Sequence, residues 1–269
     1  MKSAFFTLSV FFLSLNSVYA APKADLWAFW QKSAESSAAV YDHSPFQKII
    51  DKLVTSGKDG INRVAYAKFS ADDKKALSTY IADLEKSDPA NYSRKEQKAF
   101  WINLYNALTI KVVLDHYPVK SITDIDISPG FFSFGPWDKK LLKISNQEVS
   151  LNDIEHRILR PIWKDERIHF AVNCASLGCP NLSREVFTAE NTDKLLDGAR
   201  KEYLNHPRGI SEIKKGKVTL SSIFDWYSVD FGKSEKEVLK YLSRFIDGKK
   251  AEALQAADIS YDYDWKLNE

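Results

Sequence analysis

Residues 167–180 read Arg-Ile-His-Phe-Ala-Val-Asn-Cys-Ala-Ser-Leu-Gly-Cys-Pro and hold the chain's two cysteines, Cys174 and Cys179, on either side of a small-residue turn. A thiol acts as a nucleophile only as thiolate. It needs an exposed place at the end of an element, backbone N–H groups to receive an oxyanion, and a base. The local sequence offers Cys174 the first two. His156 and His169 are candidate bases, and Glu155, Asn103 or Asn106 could orient an imidazole, as in Cys-His-Asn chemistry. Read as a strand, residues 167–173 put His169 and Cys174 on opposite faces, because side chains alternate. His156, on a separate helix, is then the better base. The set Cys174 (nucleophile), His156 (base) and Glu155 or Asn103 (orienter) would make a hydrolase or transferase acting on an amide or thioester.

Other readings compete. An even cysteine count in an oxidising compartment points to a Cys174–Cys179 disulfide, although a loop this short gains little from chain entropy. Such a pair could also open and close as a redox-responsive element, or both thiols could be reduced and buried. Cys174, Cys179, His156 and His169 have the stoichiometry of a zinc site. The C-x4-C spacing and the lack of an HxxxH pair weigh against it, so no metal is expected. Neither a phosphate-cradling glycine loop nor a G-x-S-x-G elbow occurs, and no cofactor is expected. Without turnover, the same pocket would be a binding module for a small thiol, a peptide or a glycan fragment. Asn106, His169, Tyr105 and Trp137 are candidate binding residues. Trp137 closes a glycine-bracketed aromatic run at 130–137 that suits either a lid or a core plug.

These side chains must be positioned by helices first. Residues 94–116 are apolar almost all round, which predicts a buried helix. Asn103 and Asn106, three apart, break that run on one side. Apolar spacing also predicts helices over 24–36, 46–55, 189–205 and 234–245. Ser70, followed by Asp72 and Asp73, caps a helix to about Lys86, and Ser150 with Asp153 caps another over 151–160. A short strand or an extended arm is expected over 64–69, strands at 139–144 and 167–173, and a hairpin around Lys214-Lys215-Gly216. The fold class is α+β: a helix-rich single domain with a buried central helix packed on a small mixed or antiparallel sheet.

The 269 residues are 44% hydrophobic and 28% charged, which excludes disordered and collagen-like chains. With 38 Lys+Arg against 36 Asp+Glu, nothing favours nucleic acid as a partner. Lys2, the apolar run 4–15 and Val18-Tyr19-Ala20 form a signal peptide pattern with cleavage after Ala20. The expectation is a periplasmic protein with no membrane span once the leader is removed, whose partner is a small molecule or peptide.

Three blocks carry a resemblance: residues 100–108 (Phe-Trp-Ile-Asn-Leu-Tyr-Asn-Ala-Leu), 150–160 (Ser-Leu-Asn-Asp-Ile-Glu-His-Arg-Ile-Leu-Arg) and 169–180 (His-Phe-Ala-Val-Asn-Cys-Ala-Ser-Leu-Gly-Cys-Pro). In that order they resemble the domain-of-unknown-function family 547, of which this chain looks like an exported bacterial member. The resemblance spans about 92–205, with Trp226-Tyr227 as a weaker fourth block. It implies a family core domain over 92–269 that ends in a helix, preceded by a helical extension over 21–91. No reaction comes with it, so no catalytic role is carried over.

Overall fold

A computed structural model describes residues 22–130 and 134–269. The expected signal peptide therefore lies outside the described residues, as do three positions of the aromatic run at 130–137. In chain order the helices are α1 (Ser44–Leu53), α2 (Ala71–Glu85), α3 (Arg94–His116), α4 (Arg160–Trp163), α5 (Thr192–Asn205), α6 (Ile223–Trp226), α7 (Ser228–Phe231), α8 (Glu235–Leu242) and α9 (Gly248–Gln255). The strands are β1 (Val54–Ser56), β2 (Asn62–Val64), β3 (Leu142–Ile144), β4 (Gln147–Val149), β5 (Lys217–Ser221) and β6 (Asp258–Asp262).

The central helix occupies the expected residues, and every residue from Glu96 to Ile110 is buried. Its polar members survive there because each finds a partner. Lys98 Nζ reaches Asp165 at 2.6 Å, and Gln97 donates to the Pro89 carbonyl at 2.6 Å. The surroundings of α3 differ from those anticipated. It packs on α2 and on the helical turn of Asp153–Leu159 rather than on a sheet. A helix apolar on all sides needs neighbours on all sides, and other helices supply them. The strands form three separate pairs: β1–β2 and β3–β4 are antiparallel, and β5–β6 is parallel. The class is α+β with helices dominant.

Local signals behaved well where capping chemistry was present. Ser70 and Asp73 form a reciprocal capping box at the start of α2. Ser150 and Asp153 repeat it: Asp153 N–H donates to Ser150 Oγ at 3.1 Å, and Ser150 N–H to Asp153 Oδ2 at 2.8 Å. Beyond that cap the helix widens into a π-helical turn, Asp153–Leu159, and continues as α4 through Pro161 rather than ending before it. The N-terminal segment lies against this turn. Asp25 N–H donates to the His156 carbonyl and Trp27 N–H to that of Arg157, at 2.9 and 3.0 Å.

Of the extended stretch expected over 64–69 only Val64 is strand, because Tyr66–Lys68 turn into a 3₁₀ helix. Two further expectations fail for identifiable reasons. The segment predicted as a helix over 24–36 is mostly extended, with a single 3₁₀ turn at Ala28–Gln31, because its N–H groups pair with that neighbouring turn. The presumed strand before Cys174 is a 3₁₀ helix, Glu166–Phe170, opened by the Asp165 side chain accepting from Arg167 N–H. Loose alternation of apolar residues misread this short turn. The buried apolar residues form two clusters, one around α1–α3 and the Cys174 loop, the other around α5, β5 and α6–α9. Among the described residues, no helix is long and apolar enough to cross a membrane.

Candidate active site

The two clusters meet at a small cleft lined by Tyr105, Trp137, Asn152, Glu155, His156, His169, Val172, Cys174, Cys179, Ile223, Trp226, Tyr227, Tyr263 and Trp265. The three blocks distant in sequence thus converge on one cavity. Cys174, Glu155, His156, His169, Tyr105 and Trp137 all face it. His169 does so because a 3₁₀ turn, unlike a strand, does not send successive side chains to opposite sides.

Asn103 and Asn106 do not line it. The Asn103 amide is clamped on the Phe187 backbone, donating to its carbonyl at 2.7 Å and accepting from its N–H at 3.0 Å. Asn106 donates to the Ala171 carbonyl at 3.0 Å and accepts from Asn173 N–H at 2.8 Å. Both amides are spent on backbone. What Asn106 fixes is the chain entering the thiol loop.

That loop is held on three sides. Asn173 Nδ2 donates to the Pro180 carbonyl at 2.8 Å, while its Oδ1 accepts from Ala175 N–H at 2.9 Å and from Asn268. Ala175 adopts a positive φ of 60°, an uncommon conformation for a residue with a side chain. The C-terminal strip pairs with the loop from outside: Leu177 and Gly178 N–H donate to the Lys266 and Asp264 carbonyls, each at 2.8 Å. A Cβ on Gly178 would lie 2.8 Å from the Asp264 nitrogen, so only glycine allows this approach. The same approach brings Tyr263 over the sulfur.

Cys174 Sγ lies 3.1 Å from Ser176 Oγ and 3.0 Å from Tyr263 OH, and those two hydroxyls are 2.9 Å apart. The Cys179 thiol, ahead of these hydroxyls, and the Ser176 backbone N–H also stabilise a charge on this sulfur. Together they outweigh the effect of burial and bring the Cys174 pKa down to about 7. Burial drives the Cys179 thiol the opposite way, well above the ordinary range, so the pair holds one proton on Cys179. Both cysteines are free thiols, and the Cys174–Cys179 disulfide is not formed. Cys179 Sγ accepts from Cys174 N–H at 3.2 Å and faces the Val172 carbonyl at 3.7 Å, so the thiols meet through hydrogen bonds. Among the described residues, no group of three His, Cys, Asp or Glu side chains is arranged to hold a metal ion.

The opposite wall is a buried charge network. His169 Nε2 lies 2.7 Å from Asp230 Oδ2, and its Nδ1 is 3.4 Å from Glu155 Oε1. Burial alone would lower its pKa, but the two carboxylates win and raise it, which favours the imidazolium. Tyr227 stacks on this ring at 4.2 Å. Glu155 is opposed by burial too, yet the positive charge around it lowers its pKa to about 2. His156 differs. Its Nδ1 accepts from the Arg160 guanidinium at 3.0 Å, and burial, the largest influence, pushes its pKa down to about 4. It is therefore neutral near pH 7 with its proton on Nε2, and the 4.0 Å approach of Glu155 to Nδ1 is not an ion pair. Arg160 in turn donates to Asp230 at 2.7 Å and to the Pro22 carbonyl at 2.7 Å. Among the described residues, the sulfur's hydrogen-bond partners are Ser176, Tyr263 and Cys179; neither imidazole is one of them.

Sequence reasoning missed Ser176, Tyr263, Arg160, Asp230 and Trp265. One signal was available: Tyr261, Tyr263 and Trp265 alternate with polar residues, the pattern of an extended strip with one face packed. Their rings complete an aromatic wall, with Trp226 4.9 Å from Tyr263 and 5.5 Å from Trp265, and Trp137 5.8 Å from Trp265.

Fold and cleft together define a helix-rich α+β protein in which the Cys174 thiol borders a cavity lined by aromatic rings. Residues 89–204, which contain the thiol loop, the π-helical turn and α3, match the model of the family described as protein of unknown function, DUF547. No curated protein and no solved structure matches the chain.

Proposed function

We propose that the protein is a thiol-dependent acyl-transfer enzyme, hydrolase or transferase, in which Cys174 attacks the carbonyl carbon of a thioester or amide. One observation carries this reading: the Cys174 sulfur opens on the cleft with the Ser176 and Tyr263 hydroxyls at 3.1 and 3.0 Å and the Cys179 thiol behind it, surroundings that favour its thiolate without a base. The thiolate forms the S–C bond, the carbonyl π electrons move to oxygen, and collapse of the tetrahedral species expels a thiolate or amine. That leaves an acyl group on Cys174 for water or a second nucleophile.

On this reading His156 is not the base anticipated from its sequence. Its Nδ1 is committed to Arg160, and its neutral Nε2–H is a donor for developing negative charge on the carbonyl oxygen or leaving group. Thioesters suit the site better than amides, because a thiolate leaves without being protonated. The aromatic wall of Trp137, Trp226, Tyr263 and Trp265 suits an apolar or flat acyl group. Export to the periplasm after cleavage at Ala20 is part of the same proposal.

Intact-mass measurement after incubation with a small aryl thioester tests it. The expected result is a single acyl adduct that maps to Cys174 and decays on adding a second thiol. An unmodified Cys174, alkylated by iodoacetamide no faster than a free thiol at pH 7, would sink the reading. The alternative, a binding module, would then be supported by saturable thioester binding without an adduct.

A further inference from the structure

The nucleophile is not the only chemistry available to this sulfur, because a second cysteine stands directly behind it. Cys179 is buried, 3% exposed, whereas Cys174 opens on the cleft. The two are joined by a turn of five positions whose backbone already places Cys179 Sγ 3.2 Å from the Cys174 nitrogen. The loop is held by Asn173, by the C-terminal strip and by the Tyr203 hydroxyl, which donates to the Gly178 carbonyl at 2.6 Å. Both cysteines border the cleft, but Cys174 is half-buried whereas Cys179 is almost wholly closed off from solvent. A cleft-facing thiol whose surroundings favour the thiolate and a more deeply buried protonated thiol make the asymmetric pair that two-step oxidation requires.

We propose that Cys179 is a resolving cysteine, so that Cys174 is a reversible oxidation site for small hydroperoxides. In the first step the Cys174 thiolate attacks the terminal peroxide oxygen. The S–O bond forms, the O–O bond breaks, and the alkoxide or hydroxide leaves and takes a proton from solvent. The sulfur has lost two electrons and is a sulfenic acid; the peroxide has gained them. In the second step the Cys179 sulfur attacks Cys174 Sγ and the S–S bond forms. Hydroxide departs with the Cys179 proton as water. The intramolecular disulfide stops the sulfur short of the irreversible sulfinic and sulfonic acids, and an external thiol restores both cysteines by exchange. None of this depends on the acyl-transfer reading, which requires only the thiolate.

The full chain lacking its leader is treated with hydrogen peroxide, then with dimedone, and its intact mass is measured. The wild type is expected to lose two hydrogens, to take no dimedone, and to recover its mass and its alkylation at Cys174 after dithiothreitol. Cys179→Ser keeps a hydroxyl donor beside the sulfur but cannot form the bond. It is expected to take up one dimedone and, with more peroxide, to gain oxygen irreversibly. A wild type that accumulates dimedone-reactive sulfenic acid, or goes straight to the higher oxides, overturns the proposal even if the serine variant fails to fold. A wild type that forms the disulfide but never an acyl adduct separates this proposal from failure of the enzymatic one.

Discussion

Two sets of buried polar groups lie within this fold, and they are used in opposite ways. Asn103 and Asn106 on α3 donate to and accept from main-chain groups at 2.7–3.0 Å. Each amide is saturated by backbone, which makes it a strut between α3 and the segments that cross it. Cys174, Ser176 and Tyr263, and across the cleft Glu155, His156, His169 and Asp230, bond mainly to one another and to Arg160. Groups that spend their hydrogen bonds on backbone are fixed, and their protonation is not in question. Groups that spend them on other titratable side chains set one another's charge, and they do so beside an open cavity. Burial and polarity alone do not separate a strut from a site; the partners do.

The largest expected effect tests the reactive half. Cys174→Ala should abolish both acyl-adduct formation and rapid single-site alkylation, while shifting the urea midpoint little, because the removed sulfur borders a cavity. If alkylation persisted at full rate in this variant, the reactive thiol would be Cys179 and the contrast would collapse. The structural half is tested by Asn103→Ala. It strands both the N–H and the carbonyl of Phe187 in the core, at an expected cost of about 2–4 kcal/mol by urea unfolding. The alkylation rate per folded molecule should stay the same. A stable Asn103→Ala protein with a slowed thiol would mean that α3 reaches the chemistry after all.

How much of this was legible beforehand follows the same division. The central helix could be read to its terminal residues, because a stretch apolar almost all round, broken on one side by Asn103 and Asn106, leaves few alternatives. The reciprocal caps at Ser70 and Ser150 were legible for a similar reason: each is settled within four residues. The convergence expected from residue type and family order was of Cys174 with Glu155, His156, Asn103 and Asn106; the cavity holds the first three, lacks the two asparagines, and includes His169, which a strand would have turned away. What escaped were the partners. Tyr263 lies eighty-nine positions from the sulfur it touches, and Asp230 sixty-one from His169. No local rule carries pairings of that range. The base assignment for His156 depended on which ring nitrogen is free, and that is decided by Arg160, one helical turn away. The strand before Cys174 failed because a five-residue 3₁₀ turn and a short strand leave nearly the same apolar pattern.

Acid sensitivity offers a third test. His43 and His156 are both buried and held neutral, each pushed to about 4 mainly by burial. In the unfolded chain they titrate near 6.5, so between pH 6.5 and 4 the unfolded state binds the extra protons and stability falls as pH falls. The loss is at most about 1.4 kcal/mol per histidine for each pH unit in that window. The depressed carboxylates Glu155 and Asp230, both at about 2, contribute stability that is lost only below about pH 4.5. His169, raised by its carboxylates, acts in the opposite sense: its contribution is complete below 6.5 and is lost as pH rises through its folded value. His43 Nδ1 pairs with the Tyr80 hydroxyl at 2.7 Å, away from the cleft. His43→Gln should therefore flatten part of the stability slope between pH 7 and 5 and leave thiol reactivity alone. An unchanged slope would show that His43 is already protonated in the fold.

The smallest expected effect is also the most discriminating. Tyr263→Phe removes one O–H donor from the Cys174 sulfur at 3.0 Å and leaves the ring that packs at a tilt against Trp226 and Trp265. A hydrogen bond to a charged acceptor is worth about 1.5–3 kcal/mol, so its loss should raise the thiol pKa by roughly one to two units. The midpoint of the alkylation pH profile, expected near 7 in the wild type, should move up by that amount, while the plateau rate at high pH stays close to the original. The sign follows from which form the donor serves: Tyr263 stabilises the thiolate, so without it more hydroxide is needed to reach the same thiolate fraction. Ser176→Ala should produce a shift in the same direction, since its hydroxyl bonds both to the sulfur and to Tyr263. If neither substitution moves the midpoint, the charge on Cys174 is held by the Cys179 thiol and the Ser176 amide alone. The C-terminal strip would then be a clamp on the loop, on the structural side of the division with Asn103 and Asn106.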